Sequence, residues 1–306
     1  SILEAGFMWQ KVTRISAKYG LQSEITSFVD VDGAVEIELV RIKNISEEVT
    51  KITPIAAIPL YGRSADNIRD HRHVTSLLHR IETTDTGVLV TPTLSFDERG
   101  HQVNHMTYYC VGWSGNGEKP VDFYPTAEDF VGEGGNFERP YAIVKNAEGV
   151  KAGTKIEGLE AVGGLHFSEI TLEPEEECSY LIFTGITEDI QEIRNLSKTY
   201  TTREKVLEEL EKTKAYWQEK VNVAYHTGDS DFNQFMHWVS FQPILRRIYG
   251  CSFLPHHDYG KGGRGWRDLW QDCLALLIMN PDGVRQMLLD NFAGVRIDGS
   301  NATIIG

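Results

Sequence analysis

Ala34-Val-Glu-Ile-Glu-Leu-Val-Arg-Ile-Lys43 is the stretch that decides the fold class. Val35, Ile37 and Leu39 alternate with Glu36 and Glu38, the period-two pattern of a strand that turns one face to a core. Four more stretches read the same way or as short β-branched runs: Thr50-Lys-Ile-Thr-Pro-Ile-Ala-Ala-Ile58, Gly87-Val-Leu-Val-Thr91, Glu169-Ile-Thr-Leu-Glu173 and Ser179-Tyr-Leu-Ile-Phe-Thr-Gly185. Proline has no N–H to donate to a ladder, so Pro54 and Pro59 place the second of these at a sheet edge. Val31-Asp-Gly33 and Asp97-Glu-Arg-Gly100 supply turns, and Glu173-Pro-Glu-Glu-Glu-Cys178 is an acidic connection between strands. Many short strands with turn chemistry between them predict an antiparallel β-sandwich over residues 1–195.

Downstream the period changes. Thr201-Thr-Arg-Glu204 fits a capping box. Val206, Leu207, Leu210, Trp217 and Val221 follow at helical spacing, with Glu208, Glu209, Lys212 and Glu219 on other faces. This predicts a helical linker over 196–222. A second helix starts from Gly228-Asp-Ser230, with Phe232, Phe235, Met236 and Val239 along it and a disturbance at Pro243. On this helix His237 and Trp238 read as core. A third runs from Leu269 to Met279, and Asn280-Pro281 starts a fourth. Residues 223–306 therefore read as the beginning of an α-domain, with more of it expected beyond this sequence. No internal repeat and no low-complexity segment interrupts this order.

Composition agrees with two differently built regions. The 306 residues carry a net charge of -14, and almost all of it lies in the first 220. No Glu follows Glu219. Such acidity argues against partners with anionic backbones or surfaces, so nucleic acid and anionic membranes are excluded as targets. The longest apolar run, Cys273-Leu-Ala-Leu-Leu-Ile-Met279, is far short of the roughly 20 residues a membrane-spanning helix needs. The start, Ser1-Ile-Leu-Glu-Ala-Gly6, has no basic-then-apolar leader pattern, and without an initiator Met the true N-terminus is expected upstream. Four scattered cysteines (Cys110, Cys178, Cys251, Cys273) fit a reducing cytoplasm better than a disulfide framework.

Chemistry concentrates in Pro255-His-His-Asp-Tyr-Gly-Lys-Gly-Gly-Arg-Gly-Trp-Arg-Asp-Leu-Trp-Gln-Asp272. A Gly-rich loop entering a helix N-terminus offers backbone N–H groups and a favourable dipole to an anion, and Lys261, Arg264 and Arg267 add positive charge. The planar fork of Arg267 suits a phosphate or vicinal hydroxyls. Trp266 and Trp270 offer flat faces for sugar rings. Asp268 and Asp272, one helical turn apart, present hydrogen-bond acceptors on one face. The structural alternative is a basic surface loop with an Arg–Asp cap. Gly260-Lys-Gly-Gly-Arg-Gly265 formally matches a dinucleotide fingerprint, but no strand precedes it and no βαβ unit surrounds it. Arg63-Ser-Ala-Asp-Asn-Ile-Arg-Asp-His-Arg-His73 is a second polar cluster, readable as a site or as a salt-bridged loop. Its His71 and His73 lack a third ligand for a metal. His101, His105, Tyr108, Tyr109 and Trp113 read as cross-strand pairs.

Three stretches carry a resemblance: Gly263-Arg-Gly-Trp-Arg-Asp-Leu-Trp-Gln-Asp272, Asn291-Phe-Ala-Gly-Val-Arg-Ile-Asp-Gly-Ser-Asn301 and Asp66-Asn-Ile-Arg-Asp-His-Arg-His73. With the order sandwich, linker helix, α-domain, they resemble the inverting glycoside phosphorylases of glycoside hydrolase family 94, above all those acting on β-1,2-oligoglucans or laminaribiose. The resemblance implies that residues 223–306 begin an (α/α)6 barrel. It implies a cytoplasmic homodimer that uses inorganic phosphate as co-substrate, without a cofactor or metal, to release α-glucose 1-phosphate from a β-glucan oligosaccharide. It places Arg267, Asp268 and Asp272, with Trp266 and Gln271, at the donor glucosyl unit, and Arg264 or Lys261 near phosphate. No aspartate here matches the family's general acid, which the resemblance puts further along the barrel. A same-family transferase or phosphorylase of another β-linkage, and a carbohydrate-binding sandwich without catalysis, stand as rival readings.

Overall fold

A computed structural model describes residues 1–62, 75–97, 100–249, 264–301 and 304–305. The chain divides into two compact units, Ser1–Thr213 and Lys214–Gly306.

The first unit is built on strands β1 (Ile2–Gly6), β2 (Trp9–Ser16), β3 (Leu21–Val29), β4 (Val35–Asn44), β5 (Thr50–Ile52), β6 (Ile55–Leu60), β7 (Arg80–Thr83), β8 (Gly87–Val90), β9 (Leu94–Asp97) and β10 (Gly100–Val103). They continue as β11 (Thr107–Ser114), β12 (Asp122–Thr126), β13 (Lys155–Glu157), β14 (Ala161–His166), β15 (Ile170–Leu172) and β16 (Glu177–Thr187). Two short helices, α1 (Ala127–Val131) and α2 (Tyr141–Lys145), interrupt them, and α3 (Ile190–Thr199) and α4 (Arg203–Lys220) follow. Nine strands form one sheet in the order β1-β2-β3-β4-β16-β11-β8-β7-β13, and a second sheet runs β12-β14-β6. Among the described residues every strand pairing is antiparallel.

Alternation decides what each face buries. Ile37 and Leu39 of β4, Val111 and Trp113 of β11, and Leu181 and Phe183 of β16 share a face of the large sheet. That face packs against Ile193, Leu196 and Tyr200 from the α3 end and Val206 and Leu210 of α4. Trp113 and Phe183 stack with centroids 4.6 Å apart. The intervening residues Cys110, Tyr180 and Ile182 face the opposite way and join Leu60, Phe123, Ala161 and Leu165 of the second sheet. The central strands are therefore apolar on both faces, which is what a strand sandwiched between two layers requires. Where backbones crowd, only glycine fits: a Cβ on Gly163 would stand 2.2 Å from the Cβ of Cys110.

The predicted strands are present, with one division. The stretch 50–58 splits at Pro54 into β5 and β6, and β6 lies at the edge of its sheet. Asp30 N–H donates to the Val35 carbonyl at 3.2 Å, closing the turn around Asp32-Gly33. The α4 cap is one residue later than the capping box suggests: Thr202 Oγ1, not Thr201, accepts from the Lys205 N–H at 3.4 Å. Glu209, expected on an exposed face, is buried and ion-paired to Lys212 at 2.8 Å.

The second unit holds α5 (Ser230–Tyr249), α6 (Trp266–Met279), α7 (Val284–Asn291) and a two-stranded pair, β17 (Arg264–Gly265) with β18 (Ile304–Ile305). Asp229 Oδ1 caps α5, accepting from the N–H groups of Asp231 and Phe232 at 2.9 and 3.0 Å. The helix runs through Pro243 without ending. Proline costs it one hydrogen bond there, the one Val239 C=O would accept. Trp238, expected in the core, is 46% exposed. α7 begins after Gly283, whose φ of 76° makes a left-handed turn that Asn280-Pro281 alone did not announce. No helix among the described residues is long and apolar enough to cross a membrane.

Candidate functional site

α5 and α6 of the second unit enclose a cleft of about 560 Å³, within the roughly 300–1,000 Å³ usual for ligand clefts. From α6 come Asp268, Gln271, Asp272, Ala275 and Ile278. This is the helical face that the i, i+4 spacing of the two aspartates defines. From α5 come Val239, Ser240, Pro243 and Arg246, while Tyr225 stands in the preceding loop. The interrupted helical ladder at Pro243 thus lies in the wall of the cleft.

Arg246 and Asp272 form the charged floor. Arg246 Nε donates to both carboxylate oxygens, at 2.8 and 2.9 Å, and Nη2 donates to Oδ1 at 2.6 Å. The Asp272 side chain is only 5% exposed. A buried carboxylate held by a guanidinium fork is fixed in position and still has lone pairs to offer a hydroxyl. Tyr225 Oη and Ser240 Oγ share a hydrogen bond at 3.1 Å, and Ser240 Oγ also donates to the Met236 carbonyl at 2.9 Å. The wall thus sets hydroxyls, carboxylates and an amide among apolar side chains such as Val239, Ala275 and Ile278, a mixture suited to a neutral polyhydroxylated ligand.

The sequence-predicted residues are placed differently from one another. Asp268, Gln271 and Asp272 share the cleft wall. Arg267 projects to solvent at 85% exposure and donates to Asp268 Oδ1 from Nη2 at 3.1 Å and Nε at 3.2 Å. Trp266 donates its Nε1–H to the Asn291 carbonyl at 3.1 Å and meets Trp270 edge-on at 5.5 Å. Trp270 in turn meets Phe292 at 5.1 Å. These indoles therefore brace one another and the end of α7. Arg264 is described through its backbone, paired with Ile305. Lys261, Cys251, His71, His73 and the rest of the 63–73 cluster lie outside the described residues. Sequence reading passed over Arg246, Tyr225 and Ser240. The one available signal was the basic pair Arg246-Arg247 closing an apolar helix.

Of the residues expected in cross-strand pairs, His101, Tyr108, Tyr109 and Trp113 are paired in strands, whereas His105 lies in the loop between β10 and β11. Tyr109 and Trp113 are buried on β11, and burial pushes the Tyr109 phenol up to about 12. Among the described residues no three His, Cys, Asp or Glu side chains are placed to hold a metal ion.

The family model "Glycosyl hydrolase 94, supersandwich domain" matches residues 3–203. The curated cyclic β-(1,2)-glucan synthase NdvB of Rhizobium meliloti (strain 1021) is 26% identical over 194 residues, 62% of this chain and 6% of that protein. A solved putative kojibiose phosphorylase from the human microbiome shares 13% identity with a TM-score of 0.48, covering 88% of this chain and 32% of its own. A family GH92 α-mannosidase from Bacteroides thetaiotaomicron shares 11% identity with a TM-score of 0.31, covering 77% of this chain and 25% of its own. The chain thus spans a small fraction of NdvB and about a third of the solved phosphorylase. The family model covers well over half of the chain and coincides with the observed sandwich and the helix that follows it. The chain belongs to glycosyl hydrolase family 94 and carries that family's supersandwich domain over residues 3–203.

Proposed function

We propose that this chain is part of an inverting glycoside phosphorylase that cleaves a β-glucosidic bond of a β-glucan oligosaccharide with inorganic phosphate. The observation that carries the reading is the supersandwich match over residues 3–203. The cleft of the second unit, with Asp268, Gln271 and Asp272 in its wall, supports it. In this reading the helices after residue 213 begin an (α/α)6 barrel, and the enzyme works as a cytoplasmic homodimer without a cofactor.

The chemistry sets the parts required. A phosphate oxygen attacks the anomeric carbon from the face opposite the leaving glucan, the C–O bond to the leaving chain breaks, and an acid protonates the departing oxygen. Inversion of a β-bond then gives α-glucose 1-phosphate. An inverting hydrolase needs a second carboxylate to activate water; phosphate is already a nucleophile, so only the acid is required. Asp268, Asp272 and Gln271 accept from or donate to the hydroxyls of the donor glucose, with Arg267 and Trp266 at its edge. Arg264 and Lys261 neutralise phosphate. No general acid is assigned among the residues of this chain.

The second reading is a β-1,2-glucan glycosyltransferase, favoured by the 26% identity to the cyclic glucan synthase. Incubating the full-length gene product with sophorose-type or laminari-oligosaccharides separates the two. Glucose 1-phosphate that forms only with phosphate supports the phosphorylase. Chain redistribution without phosphate supports the transferase.

A further inference from the structure

Apart from the cleft, the first unit contains a small enclosed hollow at the seam between β6, β14 and the residues leading into β7. Its walls include Leu60, Tyr61, His79, Phe137, Glu160 and Val162. The hollow has about 20 Å³ of interior, room for one or two water-sized groups. It opens on a larger groove of about 450 Å³ along α1, with which it shares Ala127, Phe137 and Glu160.

His79 gives the hollow its chemistry. The ring is 3% exposed. Nδ1 lies 3.1 Å from the Leu159 carbonyl oxygen. A carbonyl only accepts, so Nδ1 carries the proton and Nε2 presents a lone pair. Burial also holds the imidazole pKa below its ordinary value, favouring this neutral form. Yet Nε2, fully buried, has no hydrogen-bond partner. A buried acceptor left unmet costs free energy, so the site calls for a hydroxyl or N–H donor. Gly62 keeps the space clear: a Cβ there would stand 3.1 Å from Nε2.

The surroundings narrow the choice of donor. Glu128 and Glu133 line the groove, which disfavours phosphate and other anions and offers acceptors to hydroxyls. Phe137 and Tyr61, both about half exposed, present aromatic faces at the mouth. Acceptors combined with aromatic faces suit a sugar ring. We propose that this hollow and groove form a second carbohydrate site on the sandwich, in which a hydroxyl of a gluco-oligosaccharide donates to His79 Nε2 while the ring packs on Phe137. The sugar class rests on the family reading above; the site itself rests on the geometry.

Histidine-labelled NMR of the full-length protein, with the His79 signal assigned by His79→Gln and titrated with sophorose and with laminaribiose, tests it. The expected result is a saturable shift of the His79 Nε2 resonance with a dissociation constant of about 10 mM or tighter. Phe137→Ala is expected to weaken the binding roughly tenfold; because the half-exposed ring also meets Phe130 at 5.8 Å, the unfolding midpoint is measured alongside, and only a small drop is expected. No saturable shift with either sugar, or binding indifferent to Phe137→Ala, overturns the proposal. An equal response to a small primary amine overturns the sugar assignment. Glucose 1-phosphate release is read separately, so failure here leaves the phosphorylase reading standing, and failure there leaves this site standing.

Discussion

Arg246 and Asp272 sit 26 residues apart on two helices and meet through three hydrogen bonds of 2.6 to 2.9 Å. The pair ties α5 to α6 beneath the candidate sugar cleft. Removing the carboxylate leaves a partly buried guanidinium short of its principal counter-charge and opens a gap where the buried Asp272 side chain stood. Asp272→Ala is therefore expected to destabilise the second unit by on the order of 3 kcal/mol. Pairing Asp272→Leu with Arg246→Met should recover most of that loss, because no charge is then left buried. Denaturant unfolding followed by Trp fluorescence reads both. An Asp272→Ala midpoint equal to that of the parent chain would show that the pair holds nothing.

Arg267 makes the opposite prediction. It stands in solvent and donates to its neighbour's carboxylate, an exposed contact of little energetic weight, so Arg267→Ala should leave the unfolding midpoint in place. If it holds the donor glucose, kcat/KM for phosphorolysis by the full-length protein falls roughly 10²-fold or more. Turnover equal to the parent's removes Arg267 from the site.

A third prediction concerns the central strands β4 and β16 where they meet the start of α4. Glu177 accepts from Arg41 Nε at 2.6 Å and Arg203 Nη1 at 2.7 Å, and Arg41 also donates to Glu24 at 3.0 Å. The hydrogen bond from Arg41, seconded by that from Arg203, holds the Glu177 carboxyl below the usual carboxylate range. A depressed carboxyl contributes stability above its unfolded pKa and loses it as pH falls through the folded value. Stability should thus decline on acidification below about pH 4.5, and Glu177→Gln should flatten that decline. At neutral pH this substitution should cost on the order of 1–2 kcal/mol, since the network is partly open to solvent.

His79 adds a dependence in a different window. Its folded pKa lies below the ordinary 6.5 because burial penalises the charged ring. The unfolded chain then binds the proton first, so stability is complete above 6.5 and falls as pH drops from there toward the lowered folded value. Unfolding midpoints measured between pH 8 and 5 should show this slope, and His79→Gln should reduce it. A midpoint independent of pH across that window contradicts the buried neutral ring.

How far the sequence carried the account varies by element. The alternation in 34–43 and 179–185 announces β4 and β16, because a strand's faces are written into neighbouring residues. Their pairing, Leu39 opposite Leu181, is not announced, since nothing local links residues so far apart. Pro54 marks both a break and an edge, a property of one residue that survives any context. The capping of α4 slips by one because Thr201 and Thr202 are equivalent to a sequence reader and only the chain's path chooses between them. On α6 the shared face of Asp268 and Asp272 follows from helical spacing alone, whereas their partners do not. Arg267 pairs within its own helix, and Arg246 arrives from another. The exposure of Trp238 has the same origin: helical periodicity tells which residues share a face, and packing alone decides whether that face is covered.

The central claim is phosphorolysis, and glucose 1-phosphate release measures it most directly. The full-length gene product, incubated with sophorose or laminaribiose and inorganic phosphate, should yield α-glucose 1-phosphate in proportion to enzyme and only when phosphate is present. No glucose 1-phosphate from any β-glucan oligosaccharide, with the protein folded and phosphate in excess, would contradict the account.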